Sequence, residues 1–153
     1  MTPEEQLRAR PTFEQAEREY LAMLQEMRTA LSAVVPALRW RRDTPRQSDR
    51  AACRPPFTDV RGADAGTYDS GDAFGAIPDA DWLRARQAVT DIAARHGFTT
   101  LNELTAKPGN HVIDVIGSWG QTVQLGTAEN TTLVVLGPCL LHEDGHPTAT
   151  GTS

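Results

Sequence analysis

The fold of this 153-residue chain depends on residues 98–141, which read FTTLNELTAKPGNHVIDVIGSWGQTVQLGTAENTTLVVLGPCLL. Short apolar runs rich in β-branched residues alternate there with turn residues such as Pro108-Gly109-Asn110. This alternation predicts an antiparallel meander, with Trp119 at the tip of a tight hairpin. The four predicted strands are Thr99–Ala106, His111–Gly117, Gln121–Gly126 and Thr131–Gly137.

An amphipathic helix is predicted well before the meander. Thr12 and Gln15 have the spacing of a capping box, so the helix starts at Thr12, and Pro36 ends it after about Val35. The charged residues along it, among them Arg28, are expected to face solvent. Apolar residues recur at steps of three, four and seven and predict one stripe against the core: Phe13, Tyr20, Leu24, Met27, Leu31 and Val34.

A second helix is predicted between Pro78 and Gly97. Asp79 and Asp81 suit its first turn, and Gly97 suits a left-handed C-terminal cap. Between the two helices, residues 36–57 show little periodicity, and within them we expect Asp43–Ala52 to be an exposed loop. The Gly- and Asp-rich residues that follow could form short strands, at most one edge hairpin.

Together these elements predict a single α+β domain. We expect an antiparallel sheet of four to five strands with two helices packed on one face. The domain spans residues 11–141, between a flexible N-terminal segment, residues 1–10, and a flexible C-terminal tail, residues 142–153. The opposite sheet face is expected to keep some apolar surface, from Val112, Ile116, Val134 and Leu136.

The chain contains two cysteines, Cys53 and Cys139. Each lies beside proline, in Arg54-Pro55-Pro56 and Gly137-Pro138, which suits loop positions better than core packing. We therefore expect a disulfide rather than two buried thiols, and with it an oxidising compartment. A thioredoxin-type or zinc site has no support, because the sequence contains no Cys-x-x-Cys motif.

Charge and hydropathy exclude two broad classes. The net charge of −5 argues against a nucleic-acid-binding protein, because neutralising phosphates requires a basic face. No stretch of the chain approaches the length of a transmembrane helix.

The clearest candidate binding motif is the run Arg39-Trp40-Arg41-Arg42. Arginine binds phosphate in a bidentate manner and tryptophan favours a membrane interface, so the run could contact lipid headgroups or other anions. The alternative is that the cations flank a helix end while Trp40 folds back on the core.

Residues for catalysis or metal binding are few and scattered. Asp69-Ser70-Gly71 is not a nucleophile elbow, and Gly145 and Pro147 make a helix improbable around His142 and His146. We predict no catalytic residue, no metal and no cofactor, and we expect the protein not to be an enzyme. The side chains that could still act as catalytic groups or metal ligands are Asp69, Asp72, His96, His142 and His146.

Four segments are distinctive in combination: Pro11–Tyr20, Cys53–Phe57, Phe74–Pro78 and Gly137–Cys139. Over roughly residues 3–146 the chain resembles the LppA-type lipoproteins of pathogenic mycobacteria. The resemblance implies export, a lipid-modified (palmitoylated) N-terminal cysteine and anchoring at the extracytoplasmic face of the cell membrane, but no activity. The sequence has no lipobox cysteine, so we expect the signal peptide and anchor to have been trimmed from it.

We therefore expect a lipid-anchored envelope lipoprotein that acts as a non-catalytic binding or interaction module, with a lipid or protein partner. The alternative is a carrier of a lipid or other apolar small molecule, held between the sheet and the first helix. That carrier needs a cavity of roughly 300 Å³ or more. Its predicted lining is Phe13, Tyr20, Leu24, Met27 and Leu31. A hydrolase or metalloenzyme would require those scattered aspartate and histidine side chains to lie close together in one site.

Overall fold

The computed structural model describes residues 1–145, which form three α-helices and eight β-strands. The helices are α1 (Pro3–Arg8), α2 (Phe13–Val34) and α3 (Asp79–Arg95). The strands are β1 (Arg39–Trp40), β2 (Arg46–Ala52), β3 (Ala63–Asp69), β4 (Ala73–Phe74), β5 (Phe98–Lys107), β6 (Asn110–Gly117), β7 (Thr122–Thr127) and β8 (Thr131–Leu141). The α+β class is confirmed, and in the described residues no helix combines the length and apolar composition needed to cross a membrane.

All strand pairs in the sheet are antiparallel. Strands β5 to β8 pair in chain order and confirm the predicted meander, with Trp119 in the turn between β6 and β7. The other edge of β8 is divided between two strands: β4 pairs at Thr131, and β3 pairs from Val134 to Leu141. Strand β2 then pairs with β3, and β1 pairs with β4.

The sheet has more strands than the four to five predicted, because the segment between the helices contributes four. Strand β2 lies in residues expected to be loop; it pairs on one side only and is exposed along most of its length. An edge strand that is exposed to solvent on both faces lacks the alternation of apolar and polar residues by which a strand is predicted. Strand β3 contains Gly66, and its register shifts between Ala65 and Thr67.

Helices α2 and α3 pack together on one face of the sheet and bury its inward side chains. The predicted capping box of α2 is present: the Gln15 amide donates to Thr12 Oγ1 and the Thr12 amide donates to Gln15 Oε1. Gly97 adopts φ +87° and turns the chain so that Phe98 is fully buried. The inward residues of the meander are at most 2% exposed: Ile113, Val115, Val123, Leu125, Leu133 and Val135.

The opposite face of the sheet, here called the open face, carries the short helix α1 at one end, where Leu7 packs with Cys139 and Leu141. Leu136 is 44% exposed there, and Val112, Ile116 and Val134 are partly exposed. The apolar surface expected on this face is therefore present.

The first ten residues differ from the flexible segment that was predicted. Thr2 and Glu5 form a capping box at the start of α1, and Leu7 is fully buried. Leu7 packs in a small second core with Phe57 and Leu141. Of the predicted C-terminal tail, residues 142–145 are described, while residues 146–153, including His146, lie outside the described residues.

The predicted disulfide joins Cys53, just after β2, to Cys139 in β8, with the two Cα atoms 5.4 Å apart. Both cysteines belong to the small second core around Leu7. The bridge therefore attaches the exposed edge of the sheet to its central strand and closes a loop with a sequence separation of 86 residues.

We expect the double substitution Cys53→Ala/Cys139→Ala to lower the free energy of unfolding by about 4 kcal/mol, because the bridge restricts a long loop in the unfolded chain. Urea unfolding of the variant and of the oxidised wild type measures the difference. The wild type with reductant should match the variant. An unchanged unfolding midpoint would contradict the expectation.

Candidate functional site

Arg28 organises the corner of the molecule around Arg39–Arg42, here called the arginine corner. Contrary to the expectation that it faces solvent, Arg28 is only 6% exposed. Its Nη1 donates to the Ser70 carbonyl at 3.0 Å and its Nη2 to the Arg42 carbonyl at 2.7 Å. The guanidinium also lies over the Trp40 ring, 5.0 Å from the centroid. Burial lowers the pKa of Arg28, but arginine remains charged near neutrality.

Trp40, within the predicted anion contact, is held by α2. Its indole Nε1 donates to Ser32 Oγ at 2.9 Å, and its ring packs against the core. Trp40 therefore folds back, as the alternative interpretation of this run predicts. Arg39 and Arg41 are exposed, and the Arg41 guanidinium lies 4.9 Å from the Phe74 ring centroid.

A polar cavity of about 310 Å³ brings Arg41 and Arg42 close to Asp69 and Asp72. Asp69 Oδ1 accepts a hydrogen bond from the Gly71 amide at 2.6 Å, so this carboxylate stabilises the turn after β3. The cationic run thus faces the protein's own carboxylates on this side.

The possible catalytic donors contact different parts of the structure. Asp69 and Asp72 lie in the arginine corner, while His96 Nδ1 lies 3.1 Å from Glu19 Oε2, between α3 and α2. His142 lies at the start of α2 with other partners. In residues 1–145, no group of three or more His, Cys, Asp or Glu side chains could hold a metal ion.

His142 lies between two carboxylates. Its Nδ1 is 2.6 Å from Glu14 Oε2 and its Nε2 is 2.7 Å from Asp64 Oδ2. Because both ring nitrogens face carboxylates, the protonated imidazolium is the favoured form. Partial burial opposes the charge, but the hydrogen bonds with Glu14 and Asp64 outweigh it and raise the pKa of His142. The residue ties the end of β8 to α2 and β3.

The predicted apolar lining lies in the core. Each of its side chains is at most 3% exposed and fills the space between α2 and the sheet: Phe13, Tyr20, Leu24, Met27 and Leu31. None of them borders the cavities described in this section. A ligand at this position would have to displace core packing.

A groove of about 440 Å³ opens beside the disulfide and is here called the disulfide groove. Part of its floor is a row of open-face residues on three neighbouring strands, Thr67, Leu136 and Thr122. One wall is the segment 51–57 and the other is the hairpin tip at Trp119. The volume lies within the range typical of small-molecule sites.

Arginines dominate the charge of the disulfide groove. Arg10 and Arg54 line it, and none of its described lining residues is acidic. The groove therefore differs in sign from the chain as a whole, which carries a net charge of −5. Sequence analysis missed it because its walls come from distant segments, with no shared motif to connect them.

A third cavity, about 1100 Å³ and wide open, lies near the N-terminus. Its lining combines residues 2–4 with residues 56–62 and includes His142 and Asp144. Acidic residues there accompany a single arginine, Arg61, so its charge differs from that of the disulfide groove.

Comparison with known families decides how this protein is classified. The model of the LppA family, described as a lipoprotein confined to pathogenic Mycobacterium, matches residues 2–143. The chain belongs to the LppA family. The resemblance carried by the four sequence segments is therefore confirmed, and membership associates the protein with the cell envelope.

Solved structures support the fold. The crystal structure of LppA from Mycobacterium tuberculosis is similar with a TM-score of 0.71 and 23% identity, over 93% of this chain and 85% of that chain. A DUF4853 family protein from Actinomyces odontolyticus is similar with a TM-score of 0.54 and 12% identity, over 88% of this chain and 71% of that chain. At these identities the likeness shows the fold alone. No curated protein matches significantly.

We expect Arg28→Met to lower the free energy of unfolding by about 2–4 kcal/mol, because the Ser70 and Arg42 carbonyls lose their charged donor. Arg18→Met is the matched control on the same helix, since the Arg18 side chain is 69% exposed. Its effect should stay within about 0.5 kcal/mol. Urea unfolding measures both, and equal effects would contradict a structural role for Arg28.

The His142 contacts predict a pH-dependent stability. The stabilisation that follows from the raised pKa of His142 is fully present below its ordinary value of 6.5 and is lost as pH rises through the folded-state value. The hydrogen bonds with His142 and the Glu143 amide outweigh partial burial and lower the pKa of Glu14, so its contribution is lost as pH falls through that lowered value.

We therefore expect the destabilisation by His142→Gln to be largest near about pH 6 and to shrink above and below it. Urea unfolding of variant and wild type from about pH 4 to about pH 9 measures the profile. A penalty that does not change with pH would show that the imidazolium is not responsible.

Proposed function

We propose that this protein is a lipid-anchored envelope protein whose folded domain is a non-catalytic binding module. The anchor, a lipid-modified N-terminal cysteine at the extracytoplasmic face of the cell membrane, is inferred from family membership. The Cys53–Cys139 disulfide supports an oxidising compartment. The separation of Asp69, His96 and His142 supports a role without catalysis.

The observation that carries the binding role is the asymmetry of the sheet. Helices α2 and α3 cover one face, whereas the open face keeps Leu136 44% exposed and contains the disulfide groove. Exposed apolar side chains on a face that α2 and α3 do not cover suggest contact with another molecule. A lipid anchor would raise the local concentration of the module near partners in the envelope.

In this proposal Arg39 and Arg41, both exposed, remain candidates for contact with anionic headgroups or other anions. Trp40 would not take part, because its indole is bonded to Ser32.

The alternative is a carrier of a lipid or other apolar small molecule. One observation favours it: the disulfide groove, at about 440 Å³, exceeds the roughly 300 Å³ that such a ligand needs. Its walls include the aromatic rings of Phe57 and Trp119. The carried molecule would then lie on the open face and not against α2.

Cross-linking in the native envelope, followed by native mass spectrometry, tests the proposal. We expect a protein partner whose recovery falls about tenfold in Leu136→Lys, the loss expected when one leucine contact is replaced by a charge. Leu83→Lys is the control, because Leu83 is 70% exposed on α3, away from the open face. Recovery that is equal in both variants would exclude the open face.

Native mass spectrometry also separates the two functions. A lipid-sized mass that co-purifies with the wild type and is lost on denaturation would favour the carrier. A clean polypeptide mass together with a partner sensitive to Leu136→Lys would favour the interaction module.

A further inference from the structure

Arg10 lies at the disulfide groove between two aromatic rings. Its Cζ is 5.0 Å from the centroid of Phe57 and 5.5 Å from the centroid of Trp119. Its Nη1 donates to the Cys139 carbonyl at 3.1 Å. Two rings and a carbonyl therefore fix the orientation of the guanidinium, which lowers the entropy lost when a ligand binds to it.

The charge of Arg10 has no acidic counterpart in the groove. Among the residues that the structure describes, neither Arg10 nor Arg54 has a carboxylate within 4.0 Å, the distance of an ion pair. Some arginines elsewhere do contact a carboxylate, as Arg84 contacts Asp81 at 2.5 Å and Arg86 contacts Glu103 at 3.0 Å.

Arg10 is partly buried, although no carboxylate of residues 1–145 lies beside it. Burial lowers the pKa of its guanidinium, which means that the surroundings disfavour the positive charge. Only one hydrogen bond from its guanidinium to the described protein is present, the bond to Cys139. An anion in the groove would supply both the missing counter-charge and further acceptors.

The remaining surface of the groove suits an apolar or ring-shaped group. Leu136 and Thr67 lie on the floor, and Trp119, 36% exposed, forms the wall. Thr122 Oγ1 donates to the Gly120 carbonyl at 3.0 Å, so this hydroxyl stabilises the wall. An aromatic or sugar ring stacks favourably on such a tryptophan.

We propose that the disulfide groove binds a phosphate monoester, with the phosphate dianion between Arg10 and Arg54 and the ring of the ester against Trp119. The inference rests on the proposed binding function, for which it names a ligand class. A dianion matches the charge of two arginines, whereas a carboxylate leaves one positive charge unbalanced. The guanidinium fork also presents parallel N–H groups to phosphate oxygens.

The disulfide is part of this site. Cys53 begins the wall that carries Arg54 and Phe57, and Cys139 provides the carbonyl that holds Arg10. The bridge thus links the segment that carries Arg54 to the strand whose carbonyl holds Arg10.

Titration of the purified, oxidised protein with phenyl phosphate, followed by amide and indole NMR, tests the proposal. The measurement is made at low salt and at about pH 8, where the ester is a dianion. We expect the largest shift changes at the indole N–H of Trp119 and the amide of Gly120. The indole signals of Trp40 and Trp82 serve as internal controls and should not move.

Substitutions identify the charges that hold the ligand. We expect Arg10→Met to weaken phenyl phosphate binding about tenfold, and Arg54→Met, in an exposed loop, about threefold to tenfold. Arg18→Met, distant from the groove, should leave the affinity unchanged. The Arg54 variant keeps the test valid if loss of Arg10 disturbs the fold.

Benzoate and benzyl alcohol complete the test, and both should bind at least about fivefold more weakly than phenyl phosphate. Equal affinity for benzoate, or unchanged affinity in both arginine variants, would overturn the proposal. The cross-linking experiment with Leu136→Lys is scored independently. If phenyl phosphate does not bind but a Leu136-dependent partner is found, the phosphate monoester is ruled out and the binding module stands. If phenyl phosphate binds but no partner is found, the ligand site stands and the protein partner is ruled out.

Discussion

Backbone pairing along both edges of β8 is the constraint on which the rest of the structure depends. One edge completes the meander with β7, and the other holds β4 and β3 in succession. The features of interest lie towards the two ends of this strand. Near its start, the Ser70 amide donates to the Leu133 carbonyl and fixes the arginine corner. Towards its end, Cys139 anchors the disulfide groove, and His142 follows directly.

Helices α2 and α3 cover one face of the sheet and leave Leu136 accessible on the other. A sheet in water needs to bury only one face for stability, and α2 with α3 does this completely, leaving Leu125 and Leu133 with no exposure. The open face contributes a smaller core at one end, formed by Leu7, Phe57, Leu141 and the disulfide, and Leu136 is exposed outside it. Its apolar residues, including Leu136, contribute little to stability where they are exposed.

Sequence reasoning succeeded where the physical signal is local and periodic. The meander and α2 follow from alternation and capping, which involve neighbouring residues only. It failed where the decisive contact is distant along the chain. Arg28 can be buried because the carbonyls of Ser70 and Arg42 accept hydrogen bonds from its guanidinium, and no residue near position 28 in the sequence indicates this. The sequence of strand β2 does not indicate a strand either, because an exposed edge strand has the composition of a loop.

Arg28 and Arg10 differ in what they still offer a ligand. Both terminal nitrogens of Arg28 donate to carbonyls, so an anion that bound them would leave two buried acceptors unpaired. The atoms of the arginine corner without a partner among the described residues, such as Arg42 Nη1 and Ser70 Oγ, are enclosed and out of reach of solvent. Arg10 donates to one carbonyl and faces an open groove. An anion there gains charge-assisted hydrogen bonds without breaking any in the protein, which favours a site assembled by the fold over the cationic run in the sequence.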